Sequence, residues 1–256
     1  MRENIISTLS KELLNQPFAY DKDESVTLAK GQQIAYGYAK IENSIAVLSD
    51  LRSNKSYIYN GGVAEKLGIS KNKCTKELDS IWEEDIFKRI HPDDLIEKHL
   101  LELRFFHLLK NMPVRERANY HIISRLRMMD NLGKYTSIQH RMFYVGSCPM
   151  GNLWLALCLY NFSHNTTTSE IFDGIIINSV TGRTIKADND KCKNILSSRE
   201  KEILQLIEKG KASIEIADVL SISKNTVSRH RQNILEKLRV KNSIEACQIA
   251  KIMNLI

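Results

Sequence analysis

The sequence has little of what marks several protein classes. Four prolines and eleven glycines in 256 residues exclude collagen-like and low-complexity chains. The five cysteines (Cys74, Cys148, Cys158, Cys192, Cys247) are odd in number and form no CxxC pair. Reduced, mostly buried thiols are therefore expected, not a disulfide framework or a zinc site. The longest strongly apolar stretch, Leu153 to Tyr160, falls far short of the roughly 20 residues that span a bilayer, and Met1-Arg2-Glu3-Asn4 leads into no secretory apolar region. The expectation is a cytoplasmic chain with no membrane partner. Neither a glycine-rich phosphate loop nor a βα repeat carrying an early acidic cluster and a later Asp, Thr and Lys is present. No nucleophile with its base and orienter, and no metal-ligand cluster, can be assembled from the linear sequence. An enzyme is thus the weakest reading, and neither cofactor nor metal is expected.

What is there is enough apolar sequence, 43%, to bury cores for two modest domains, and a net charge of +7 that is unevenly placed. From residue 193 onward there are twelve Lys/Arg against seven acids, +5, while the preceding 192 residues carry 25 against 23, only +2. A solvated helical face is the ordinary explanation of such an excess. Pattern argues for more. Ser197-Ser198-Arg199-Glu200 has the S-x-x-E spacing of a capping box, opening a helix that runs to Lys209 with Ile203, Leu204 and Ile207 on one face and Gly210 as its stop. A short second helix turns Ile216, Ala217 and Leu220 inward. Ser221-Ile222-Ser223 connects it to a third helix, Lys224 to about Leu238, capped by Ser223.

That third helix buries Val227, Ile234, Leu235 and Leu238. Its opposite stripe places Lys224, Ser228 and Gln232 every four residues, with Asn225 and Arg229 beside them. Short helix, tight turn and longer helix with a polar, basic exposed face is what a helix-turn-helix requires, because the DNA major groove admits one helix and is read by hydrogen bonds. A fourth helix, about Asn242 to Asn254, carries Ala246, Ile249, Ala250 and Met253 at helical spacing and closes a small core.

Leu196-Ser197-Ser198-Arg199-Glu200, Gly210, Glu215-Ile216-Ala217, Leu220, Ile222-Ser223, Thr226-Val227, His230, Ile234, Lys237-Leu238, Val240 and Glu245-Ala246 resemble the four-helix DNA-binding domain of LuxR/NarL-type transcriptional regulators. The resemblance covers residues 196 to 254. It implies double-stranded DNA as partner, with base contacts from positions corresponding to Ser228, Arg229 and Gln232, the residues the stripe singles out. Arg229 suits guanine and Gln232 adenine, and Lys224, Asn225, Thr226, His230 and Arg231 are expected at phosphates. For His230 and Arg231 the alternative is covering the helix or bonding within the domain, and for His230 the two readings weigh equally. Two positions depart from the family. Ala212 stands where a capping Ser or Thr is usual, which weakens the cap unless Ser213 takes over, and Ser243 replaces a common Arg, removing a phosphate contact.

The preceding sequence has another texture. Residues 4 to 15 read as an amphipathic helix through Ile5, Ile6, Leu9 and Leu13. Ile45–Leu48 and Tyr57–Tyr59 read as strands around a polar turn. Helical texture follows, with a strong helix start at His91-Pro92-Asp93-Asp94, where Pro and two Asp suit the positive end of the dipole. Three longer strands are expected over Tyr120–Met129, Tyr135–Val145 and Leu153–Phe162. Two strands, helices and a three-stranded meander make an α+β order. Tyr59-Asn60, Leu67-Gly68 and Ile90-His91-Pro92-Asp93-Asp94-Leu95 resemble a PAS domain over about residues 40 to 165. That likeness implies a sensory or dimerisation module and names no ligand. His91 is expected to bond at the helix start instead of ligating haem, Cys74 to be an ordinary thiol, and Trp82 and Trp154 to be core. His99 and His107, eight apart, lack the spacing to share a metal. With two Trp, the chain also lacks the Trp-rich pocket of the acyl-homoserine lactone receptors in this class.

The expected fold is α+β: a PAS-like antiparallel sheet with helices, then an all-α four-helix domain. The expected organisation is 1–39, a helical extension; 40–165, the PAS-like domain; 166–192, a hairpin about Ser179-Val180-Thr181-Gly182 and a polar link coupling sensor to DNA reader; and 193–256, the helix-turn-helix domain. The favoured function is a sequence-specific transcription regulator, expected to be a homodimer, with a small ligand or protein partner at its PAS-like half. The alternative is a protein-interaction adaptor whose basic tail holds nucleic acid non-specifically.

Overall fold

The computed structural model describes residues 9–18, 23–70, 75–163, 173–186, 196–238, 240, 242–252 and 255–256. The chain divides into two compact units, residues 1–187 and 188–256. The first is built on one antiparallel sheet. Its elements run α1 (Glu24–Ile41), β1 (Ile45–Asp50), β2 (Lys55–Asn60), α2 (Gly62–Lys66), β3 (Thr75–Leu78), α3 (Glu84–Phe87), α4 (Pro92–Lys110), α5 (Val114–Arg117), β4 (Tyr120–Met129), β5 (Tyr135–Ser147), β6 (Leu153–Phe162), β7 (Asp173–Asn178) and β8 (Thr184–Lys186). Residues 9–14 are helical too; the rest of the helix read at 4 to 15 lies outside the described residues.

The sheet order is β3-β2-β1-β6-β5-β4-β7-β8. The meander β4-β5-β6 returns to pair β6 with β1, Ile45 opposite Tyr160, so the fold is PAS-like: two strands, intervening helices and three strands in one sheet. Because β6 lies centrally and is covered on both faces, it reads as a continuous apolar run and not as an alternation. Leu155, Leu157 and Leu159 pack with α1, whose small residues Gly31, Ala35 and Ala39 recur every four positions and let the helix approach closely. Ala156 and Cys158 point to the opposite face, toward α3 and α4.

Three features differ from the sequence reading. Strand β3 was not expected, because a charged, exposed edge strand (Thr-Lys-Glu-Leu) carries no apolar alternation. The hairpin read at residues 171 to 187 forms over its described part, but β7 pairs with β4 from Tyr120↔Asn178 to Arg125↔Asp173, so it belongs to the sheet and not to a segment apart from it. Trp154 is fully buried, whereas Trp82 is half-buried and its indole donates to Ser10 Oγ.

At the start of α4, His91 is the N-cap: its Nδ1 accepts from the Asp93 amide at 3.3 Å. Buried Asp94 accepts from the Arg127 amide at 2.7 Å and its guanidinium at 2.6 Å, fastening α4 to β4. The His-Pro-Asp-Asp segment thus has a structural explanation. Cys148 and Cys158 are buried free thiols and Cys247 is half-buried, while Cys74 and Cys192 lie outside the described residues.

The second unit contains α6 (Ser198–Glu208), α7 (Ser213–Leu220), α8 (Lys224–Leu238) and α9 (Ser243–Ile252). Its core gathers Leu196, Ile203, Leu204, Ile216, Val227, Ile234, Leu238, Ala246 and Ala250. The capping box at Ser197/Glu200 is complete, and Gly210 ends the helical turn at φ +78°. Leu220 and Leu235 are only half-buried, and the side chains of Ile249 and Met253 lie outside the described residues.

Candidate nucleic-acid interface and a buried polar cluster

Helix α8 starts where Ser223 Oγ accepts the Thr226 amide at 3.1 Å, with the Thr226 hydroxyl 2.8 Å from the same oxygen. Ser221 ahead of it takes a left-handed φ of +52°, which turns the chain sharply between α7 and α8. Arg199 donates to the Leu220 carbonyl at 2.7 Å, holding the last turn of α7. With α8 anchored by Val227, Ile234 and Leu238, its opposite side displays Lys224, Asn225, Ser228, Arg229 and Gln232, all exposed. Gln232 donates to Glu236 at 3.1 Å, an exposed bond that a base edge can replace.

Thr226, His230 and Arg231 are half-buried. Arg231 is engaged inside the unit: one η nitrogen donates to Ser213 Oγ at 2.9 Å and the other to Ser243 Oγ at 3.0 Å. It therefore ties the starts of α7 and α9 to α8. Ser243, one departure from the family pattern, and Ser213, the neighbour of the other, meet at this guanidinium. Ser213 does not replace the missing cap, since its hydroxyl serves Arg231. The N-cap of α7 is Ala212, which has no side-chain acceptor, and only the Glu215 half of the box remains, accepting the Ala212 amide at 2.8 Å. Glu200, buried at the base of the unit, accepts from Lys237 at 2.7 Å and from the Ser197 amide. Burial alone would raise its pKa, but Lys237 and the Ser197 bonds outweigh that and lower it.

The first unit hides a second constellation that the linear sequence did not disclose. Lys98 and Glu102, one turn apart on α4, pair at 2.6 Å with side chains 3% and 9% exposed. His99 Nδ1 lies 3.3 Å from the other Glu102 oxygen. Across from them the sheet contributes His140 and Tyr144 of β5, Cys158 and Tyr160 of β6, and Ser124 of β4, all buried. Glu83 accepts from Ser49 and Ser56, each at 3.2 Å. A cavity of about 40 Å³ opens among Ser49, Glu83, Lys98, Glu102, Tyr144 and Cys158, with Leu9, Leu13 and Trp82 in its wall.

The charge states follow from desolvation set against neighbours. Burial pushes the Glu83 carboxyl up to about 7, opposed by Lys98. Glu102 is likewise desolvated, yet Lys98 and the two histidines hold it well below the usual carboxylate range. Burial would lower Lys98, but Glu102, Cys158 and Glu83 together outweigh that, so its pKa is raised. His140 drops to about 3 through burial and the Lys98 charge, and is neutral. Burial holds Tyr144, Tyr160 and Cys158 well above their ordinary values.

A signal for this cluster did exist. Inward positions of β4 read Ile122, Ser124, Leu126, Met128 and those of β5 read Ile138, His140, Met142, Tyr144, so one polar residue interrupts each apolar row. Sequence spacing along α4 could not show that Glu102 faces His140.

Residues 194–250 match the family of bacterial regulatory proteins, luxR family. The response regulatory protein YgeK of Escherichia coli is 34% identical over 116 residues, 43% of this chain and 79% of that protein. DesR, a transcriptional regulatory protein of Bacillus subtilis, is 52% identical over 58 residues, but these are 23% of this chain and 29% of DesR. Among solved structures, the Vibrio cholerae VqmA dimer aligns over 86% of both chains at 16% identity and a TM-score of 0.31. The chain belongs to the luxR family of bacterial regulatory proteins, and its helix-turn-helix unit is the part the family defines. No helix among the described residues is long and apolar enough to cross a membrane.

Proposed function

We propose that this protein is a sequence-specific transcription regulator that inserts α8 into the major groove, with Ser228, Arg229 and Gln232 reading bases and Lys224, Asn225 and Thr226 holding phosphates. The observation that carries the reading is the exposed polar and basic stripe of α8, opposite a side anchored by Val227, Ile234 and Leu238. His230 borders the stripe and contributes at its edge. Arg231, occupied by Ser213 and Ser243, contributes by fixing the angle of α8. Two copies acting on half-sites about one helical turn apart multiply the few contacts of one small domain. The first unit then serves as the regulatory half, and its polar cavity is where a small ligand bears on the protein.

The test is binding to sites found by genome-wide footprinting. Arg229→Ala is expected to cost about 1–3 kcal/mol on the cognate site and to relax preference at one base pair, whereas Lys224→Ala weakens all sequences alike. An equal loss on every DNA for Arg229→Ala would favour an adaptor that holds nucleic acid non-specifically.

A further inference from the structure

Three donor atoms from three elements converge inside the first unit. A carboxylate oxygen of Glu102, an imidazole nitrogen of His140 and Sγ of Cys158 all lie within 4.8 Å of one another. Strand register explains the pairing: Cys158 sits opposite Met142 and His140 opposite Tyr160, so His140 and Cys158 are diagonal neighbours on one sheet face. Helix α4 lays Glu102 over them, 3.9 Å from His140 Nε2.

The decisive atom is His140 Nε2. The residue is 0% exposed, and this nitrogen has no hydrogen-bond partner among the described residues. Leaving such a group unpaired in the interior is costly. The other ring nitrogen, Nδ1, is 3.1 Å from Ser124 Oγ. With Nδ1–H donated to that hydroxyl, the Nε2 lone pair faces Glu102 and Cys158, as in metal-bound imidazoles held by an outer partner. Glu102 is oriented in the same way by Lys98 and His99, and a carboxylate with about four lone-pair directions retains capacity beyond those two bonds.

We propose that Glu102, His140 and Cys158 form a binding site for a thiophilic divalent transition ion such as zinc. Mixed oxygen, nitrogen and sulfur donors suit zinc, whereas magnesium and calcium take oxygen ligands. Carboxylate and thiolate neutralise the two charges of the ion, and the thiol proton leaves to solvent on binding. Glu83, on the same cavity, faces the remaining charge of Lys98. Ligands about 2.0–2.3 Å from a tetrahedral ion stand roughly 3.3–3.8 Å apart, so closure needs side-chain shifts of at most about 1.5 Å. Three protein ligands leave one position open. Glu102 and Cys158 line the 40 Å³ cavity, which has room for a water or one donor atom of a small ligand at that position. The site does not depend on the DNA-reading assignment, because metal binding and operator binding are measured separately.

The experiment uses the full chain, freed of metal by a chelator and titrated with cobalt(II) and zinc(II). The expected result is one ion per chain, with sulfur-to-cobalt charge-transfer absorption and intense tetrahedral bands that zinc abolishes. Cys158→Ser is expected to remove the charge-transfer band, and His140→Gln to weaken binding at least tenfold. Cys148→Ser, in the core on the α1 side, should leave both unchanged. Absence of stoichiometric binding by the unaltered protein, or a charge-transfer band that survives Cys158→Ser, overturns the proposal. Should the variants fail to fold, X-ray absorption of the zinc-loaded natural chain decides: one sulfur at about 2.3 Å with nitrogen and oxygen neighbours supports the site, and no sulfur or several sulfurs refutes it.

Discussion

The two units differ in where their grouped charges lie, on the exposed stripe of α8 in one and in the interior in the other. Among the described residues of the helix-turn-helix unit, the core is apolar except for Glu200, and the exposed stripe of α8 carries Lys224 and Arg229. In the first unit, whose sequence is nearly charge-balanced, Lys98, Glu102, Glu83, His99 and His140 are all inside. Net charge is therefore visible in composition where it is exposed and hidden where it is buried. A polyanion is met at the surface, where charge is visible in composition, while a buried constellation cancels within itself and leaves no trace in a sum.

The largest expected effect tests whether that interior is held by its central pair. Lys98→Met strands the Glu102 carboxylate and should destabilise the first unit by about 3–5 kcal/mol in denaturant melts, and Lys98→Met/Glu102→Leu should recover most of it. A double variant no more stable than the single one would show that the pair is not the interior's structural centre.

Two glutamates then set the units against each other in pH. Glu83 has a folded value of about 7, above its ordinary 4.5. Its protonated form therefore supports folding fully below about pH 4.5, and that support is lost as pH rises through 7. Glu83→Gln should gain up to about 3 kcal/mol near pH 8 and nothing near pH 4, measured by thermal melts across that range. Glu200 has the opposite sign, because its folded pKa is lowered. Its contribution is present above the ordinary carboxylate range and lost as pH falls through the lowered value. Glu200→Gln should cost about 1–2 kcal/mol at neutral pH, with the difference closing in acid. Equal pH profiles for the two variants would erase the contrast.

The smallest effect sharpens the surface side. Ala212 already has the extended backbone of an N-cap, φ −72° and ψ 158°, with half its box in place. Ala212→Ser should add the missing acceptor and stabilise the second unit by about 0.5–1 kcal/mol, read as a rise in its melting temperature. No change would mean that Glu215 alone satisfies the helix start.

Legibility in the sequence followed the same divide. Residues 197–238 could be read closely because capping boxes, glycine stops and helical stripes are local, each settled within a turn or two of chain. The long strands 120–129, 135–147 and 153–162 declared themselves by alternation or by apolar run. Strand β3 did not, having no buried face to pattern. For Arg231 a phosphate contact and bonding within the unit both stayed open, because a basic residue on this helix looks alike in sequence whether it meets DNA or two serines 18 and 12 residues away.

By itself, the sequence determined the strong periodicities: the long strands of the sheet and the helices of the second unit, which face of α8 is polar, and which family the last quarter of the chain resembles. Tertiary structure alone decided that Glu102, His140 and Cys158 meet, and that Glu83 and Lys98 share a cavity with two of them. Glu102, His140 and Cys158 lie 38 and 18 positions apart along the chain, on a helix and two strands. Their encounter is fixed by strand register and by the packing of α4 on the sheet, which no local spacing records.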